Sequence, residues 1–89
     1  MTADEMLIQP EQVKAARAWL GWTREELARQ ADVGLQSVNR LESETGPYPR
    51  RGTQRLIVSA FQAAGVEFPD AETVRRRRPD NSQQSQQAA

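Results

Sequence analysis

The sequence predicts an all-α fold: one compact domain of four to five short helices, followed by a disordered C-terminal tail. Three observations carry this. Apolar residues recur at the three- and four-residue spacing of a helix face in successive segments. Glycine, proline or aspartate stands between those segments, where a helix has to stop. Residues 75–89 (RRRRPDNSQQSQQAA) offer almost nothing to bury. The expected organisation is a flexible leader over 1–7, the domain over 8–74 and a basic, then Gln/Ser-rich, tail over 75–89.

Taking the elements in order, Pro10 suits the first turn of a helix, because its missing N–H would be unpaired there anyway. Val13, Ala16 and Leu20 follow on one face, with Lys14 and Arg17 turned outward. Gly21 stops this helix by taking a left-handed conformation. Thr23, with Glu26 three residues on, is a capping-box pattern that opens a second helix lined by Leu27, Ala28 and Ala31. Asp32 tolerates the left-handed turn that follows, and Gly34 tolerates nearly any conformation. A third helix runs from Leu35 to about Ser43 with Val38 and Leu41 inward. From Glu44 to Gly52 the chain is a proline- and glycine-dense loop, and from Thr53 a fourth helix sets Leu56, Ile57, Ala60, Phe61 and Ala64 on one face. Gly65 ends it, and Val66 and Phe68 fold back onto the core. Beyond Pro69 two readings stay open: Asp70 caps a fifth helix reaching Val74, or residues 73–75 are extended. Trp19 and Trp22 are expected in the core and at its rim, and Tyr48 packs rather than touching a partner.

A chain of 89 residues holds one domain. It has neither cysteine nor histidine, which removes disulfides, thiolate metal sites and the commonest neutral-pH acid–base group. Ser37 and Ser59 have no histidine to activate them, and the acids form no convincing cluster, so neither catalysis, nor a metal, nor a cofactor is expected. No apolar run approaches the roughly 18 residues of a membrane span. The start, MTADEMLI, lacks the basic opening and apolar core of a signal peptide. A soluble protein of the cytoplasm or nucleoid is the expectation. Formal net charge is zero, which speaks against nucleic acid in bulk. Yet Asp4, Glu5 and Glu11 crowd one end while Arg50, Arg51, Arg55 and Arg75 to Arg78 load the later half, and DNA responds to the local positive face.

The central feature is the second and third helices with their tight turn. Leu27, Ala28, Ala31, Val33, Val38 and Leu41 can lock the two at a steep angle, and small Ala28 permits close approach. The third helix then projects polar side chains with its N-terminus leading, which is a shape that a DNA major groove accepts.

Over AWLGWTREELARQADVGLQSVNRLE (residues 18–42) the sequence strongly resembles the Cro/repressor-type, or XRE, helix-turn-helix family. The resemblance extends from about Val13 to Phe68 and includes the closing AAGVEF (63–68). It departs mildly at Asp32, where the family typically has glycine, and at Gly34, where Ser or Thr often caps the recognition helix. The resemblance implies a repressor-like helix-turn-helix domain that binds double-stranded DNA as a homodimer on a near-palindromic operator, with no membrane and no small-molecule ligand. By motif position, Thr23 and Arg24 would grip a phosphate. Leu35, Gln36, Asn39 and Arg40 would face bases: Gln36 or Asn39 bidentate to adenine, Arg40 to guanine, Leu35 against a thymine methyl. Ser37 would be a phosphate or supporting contact, and Arg50 and Arg51 would hold the backbone.

Blander readings stand beside these. Arg24 and Arg40 also read as solvated helix charges, Asn39 as a local cap, Leu35 as a packing residue, and the Arg75 to Arg78 run as either a minor-groove arm or a solvated stretch. The rival function is a helix-turn-helix protein-interaction module (antiactivator, antitoxin or adaptor) with weak or no DNA binding. Near-neutral charge and the apolar Leu35 favour it slightly.

Overall fold

The computed structural model describes residues 7–43 and 46–76. They form α1 (Pro10–Leu20), α2 (Arg24–Ala31), α3 (Leu35–Glu42) and α4 (Arg51–Ala63), then two short strands, β1 (Val66–Glu67) and β2 (Arg75–Arg76). The strands pair antiparallel, Val66 opposite Arg76 and Glu67 opposite Arg75. Ile8, Val13, Ala16, Leu27, Ala28, Ala31, Val38, Leu41, Ile57, Phe61 and Val66 make one core. At its centre Phe61 stacks on Trp22 with ring centroids 5.8 Å apart and meets Phe68 edge-on at 5.7 Å. The all-α architecture expected from the sequence is therefore present, with the two-residue ladder added. Among the described residues no helix is long and apolar enough to cross a membrane.

Helix boundaries follow local chemistry. Pro10 occupies the first helical position of α1, and the Gln12 side chain accepts the Gln9 N–H at 2.8 Å. Gly21, at φ 70, closes α1 with its N–H on the Ala18 carbonyl, while Trp22 N–H reaches back to Arg17 O at 3.0 Å. α2 ends in the same way, but on an aspartate: Asp32 sits at φ 58 and Val33 N–H bonds Ala28 O. At the start of α2 Thr23 Oγ1 accepts the Glu26 N–H at 3.0 Å, which is one arm of the expected capping box. Its return arm is redirected, because the Glu26 carboxylate takes donors from Arg29 and Gln30 one turn on.

Several expectations are corrected. α4 starts at Arg51, not Thr53, so Arg51 and Gly52 are helical, and Arg50 is the N-cap. This helix is rotated about its axis relative to the expected face: Gln54, Ile57 and Phe61 are buried, whereas Leu56 is 48% exposed and Ala64 is exposed. The run Leu56-Ile57 fits two adjacent stripes, and only packing against the rest of the core chooses between them. Trp19 is 47% exposed, with the Arg76 guanidinium 5.9 Å above its ring, while Trp22 is half-buried. Arg17 turns inward rather than outward. The segment after Pro69 takes its extended alternative: Asp70 Oδ1 accepts the Glu72 N–H and the Thr73 hydroxyl in a turn, and the chain then enters β2. Arg75 and Arg76, assigned by composition to the tail, form that strand, and Arg75 pairs with Glu67 at 2.6 Å. Arg77, Arg78 and the Gln/Ser stretch lie outside the described residues, as do residues 1–6 of the leader.

Two buried glutamines tie the segments flanking the helices to α1 and α4. Gln54 accepts the Leu7 N–H at 2.7 Å and donates to Pro49 O at 2.9 Å. Gln12 donates to Asp70 O at 2.7 Å and Thr73 O at 3.0 Å. Each amide thus replaces water for backbone groups that packing would otherwise leave unpaired.

Candidate nucleic-acid interface

α3 has two sides. Val38, Leu41 and Glu42 are buried, whereas Gln36, Asn39 and Arg40 are exposed at the i, i+3, i+4 spacing that puts them side by side. Leu35, at the leading end, is 38% exposed, and Ser37 is half-buried at the flank. Gly34 caps the helix in an extended conformation (φ −71, ψ 151) and supplies no side-chain acceptor. The freedom of glycine is therefore unused here, and what its identity contributes is an N-terminus with uncovered N–H groups. Leu27, Ala28 and Ala31 of α2 bury against Val38 and Leu41, so the outer face of α3 is held by a packed inner one.

A polar network locks the pair from behind. The Glu42 carboxylate is 1% exposed and receives Arg17 from α1 through two bonds, Nε at 2.6 Å and Nη2 at 2.9 Å. Arg17 Nη1 also donates to Trp22 O at 3.0 Å. The hydrogen bonds and charge of Glu42 hold the Arg17 guanidinium more firmly protonated than usual, against the opposing effect of burial. Arg24, at the first position of α2, donates Nε to Glu42 Oε1 at 3.2 Å and Nη1 to Asn39 Oδ1 at 3.2 Å. Its side chain remains 48% exposed. One buried carboxylate thus joins α1, α2 and α3, and two guanidiniums against it leave positive charge on the open side, beside the polar face of α3.

Arg50 and Arg51, both exposed, stand at the N-terminus of α4, whose first turn carries no acid. Cations there oppose the helix dipole. α4 packs mainly on α2. Among the expected site residues, Arg24 and Asn39 are in direct contact, Leu35, Gln36, Ser37, Asn39 and Arg40 share α3, and Thr23 is engaged as the cap of α2. Tyr48 packs against the core. No group of three or more potential metal ligands occurs among the described residues.

Sequence reasoning missed Arg17 and Glu42. The signal was present: Glu42 lies four residues after Val38 and directly after Leu41, on the inward side of α3. An acid at such a position has to find a cation, since an unpaired buried charge is prohibitively costly.

Residues 13–50 match the sequence profile of the helix-turn-helix family, from Val13 within α1 to Arg50 at the cap of α4. No curated protein sequence matches the chain at a significant level.

Proposed function

We propose that the chain, whose residues 13–50 match the helix-turn-helix family, is a sequence-specific transcriptional regulator of the Cro/repressor type that reads operator DNA through α3. The observation that carries this is the convergence of Gln36, Asn39 and Arg40 on the exposed face of a helix whose other face is locked to α2 and α1. In this reading α3 lies in the major groove. Arg40 takes a guanine edge, Gln36 and Asn39 hydrogen-bond neighbouring bases, and Leu35 meets a thymine methyl. Thr23, Arg24, Arg50 and Arg51 hold phosphates on either side, with Ser37 in support. One domain of this size offers a small interface, so two copies on a near-palindrome supply affinity and symmetry.

Selection of duplexes from a random library, followed by titration of the enriched and scrambled sequences, tests the reading. Arg40→Ala is expected to erase the difference between the two, a loss of about 1–3 kcal/mol of discrimination. Arg51→Ala is expected to weaken both alike. Equal losses on both sequences for Arg40→Ala would overturn the assignment of Arg40 as a reader.

The exposed Leu35 and the zero net charge favour one second reading, a protein-interaction module built on the same fold. It takes over if no duplex is enriched even at low salt.

A further inference from the structure

We infer that Arg24 is a specificity-determining positioning residue: by engaging Asn39 Oδ1 it turns the Asn39 amide so that its NH2 group faces the DNA, and the chain reads a guanine, with thymine second, where the residue type alone points to adenine. This rests on the DNA-binding reading above and goes beyond it.

A guanidinium has donors and no acceptor, so the atom it meets on Asn39 has to be the carbonyl oxygen. The planar amide then turns Nδ2 away from Arg24, and because Asn39 is exposed, Nδ2 is left to a partner from solvent. Bidentate recognition of adenine needs both amide atoms brought together to the base edge, oxygen accepting from N6 and nitrogen donating to N7. Here the oxygen is drawn back toward α2. An outward NH2 suits an edge made of acceptors, which guanine supplies through both N7 and O6 and thymine through O4, whereas adenine offers it N7 alone, beside an N6 amino group that opposes it donor to donor.

Arg24 is not a loose surface arm that any base could displace. Its Nε is anchored on Glu42, whose carboxylate is 1% exposed and is itself clamped by Arg17 through two bonds. The Asn39 orientation is therefore set before DNA arrives, and reversing it means giving up a charge-assisted hydrogen bond. Pre-organisation of this kind turns a general phosphate-side cation into a determinant of base preference.

The test compares duplexes selected by the wild type, Asn39→Ala and Arg24→Met, the last keeping an unbranched stem without donors. Asn39→Ala identifies the base pair that depends on Asn39. At that pair the wild type is expected to select guanine or thymine, and Arg24→Met to raise adenine about fivefold or more relative to them. The general loss of affinity from removing a cation does not enter, because preference is compared within each protein. Adenine at that pair in the wild type, unchanged by Arg24→Met, would overturn the inference, as would an Asn39→Ala selection identical to wild type. In the free protein the Asn39 side-chain amide NMR signal is expected to move in Arg24→Met, and a signal that stays put also overturns the inference. Should Arg24→Met fail to fold, Arg24→Gln is used for both readouts. A wild type that enriches no duplex defeats the DNA-binding reading, and with it this one, whatever the NMR signal does.

Discussion

Glu42 is the residue on which the geometry of the recognition helix turns. Its carboxylate is nearly inaccessible and serves Arg17 and Arg24 together. Removing one partner from a buried pair costs far more than the pair contributes, because the other charge stays behind. Glu42→Gln preserves shape but leaves the Arg17 guanidinium, only 19% exposed, without its counter-charge. The expected loss is about 3 kcal/mol in urea unfolding. The double change Arg17→Met with Glu42→Leu is expected to recover most of it, since an apolar replacement of a whole buried pair is often neutral. A Glu42→Gln variant as stable as wild type would refute this account. Gln12 and Gln54 act on the same scale, but through neutral amides whose donors and acceptors are matched one by one. Nothing in their sequence positions separates them from surface glutamines.

At the scale of elements, the ends of helices are written locally and their neighbours are not. Gly21, Thr23 and the Asp32 turn act through bonds spanning a few residues, and they fall where the sequence indicates. The segment 69–76 depends on partners outside itself: distant Gln12 for its carbonyls and the preceding β1 for its strand. Within it the Asp70 carboxyl is held below the usual carboxylate range, first by the Glu72 N–H and then by the Thr73 hydroxyl. A depressed folded-state pKa gives a contribution that is complete above the unfolded value, near 4, and is lost as pH falls through the lower folded value. Acidification through and below the ordinary aspartate range should therefore release this turn. The Glu72 amide shift is expected to titrate with a midpoint below that of an unperturbed aspartate, and Asp70→Asn to flatten the curve. A midpoint at or above the ordinary value would show that the Asp70 bonds do not favour its charged form.

For the molecule as a whole, zero net charge conceals a local pattern. Glu26, Glu42 and Glu67 each meet an arginine of the domain, so part of the acidic total is cancelled where it stands. Arg40 on the polar face of α3, the open side of Arg24 and Arg50 at the cap of α4 then present cations despite the balanced sum. Phosphate binding by six or so such contacts releases counterions. Affinity for the selected duplex is therefore expected to fall about a thousandfold between 50 mM and 200 mM salt. A nearly flat salt dependence would mean that phosphates are not being held, and would favour the protein-partner reading. The same charges are kept in place by a core centred on the Trp22, Phe61 and Phe68 rings, which binds the α1–α2 junction to α4 and to the segment just after β1.

The sequence by itself determined the four helices, the left-handed turn at Asp32 and the split of α3 into a buried side and an exposed one. These depend on periodicity, caps and turn residues, all of which act within a few positions. It also named the candidate readers on α3, because exposure follows directly once Val38 and Leu41 are known to face inward. Only the tertiary structure decided the rotation of α4, the exposure of Trp19, the pairing of β1 with β2 and the burial of Gln12, Gln54 and Glu42. Apart from the ladder, which joins near neighbours in sequence, each of these is fixed by a partner distant in sequence, and which of several compatible partners is met depends on how the helices pack. The contact between Arg24 and Asn39 belongs to this second group: each residue was legible as a candidate alone, and the bond between them exists because α2 and α3 cross at Glu42.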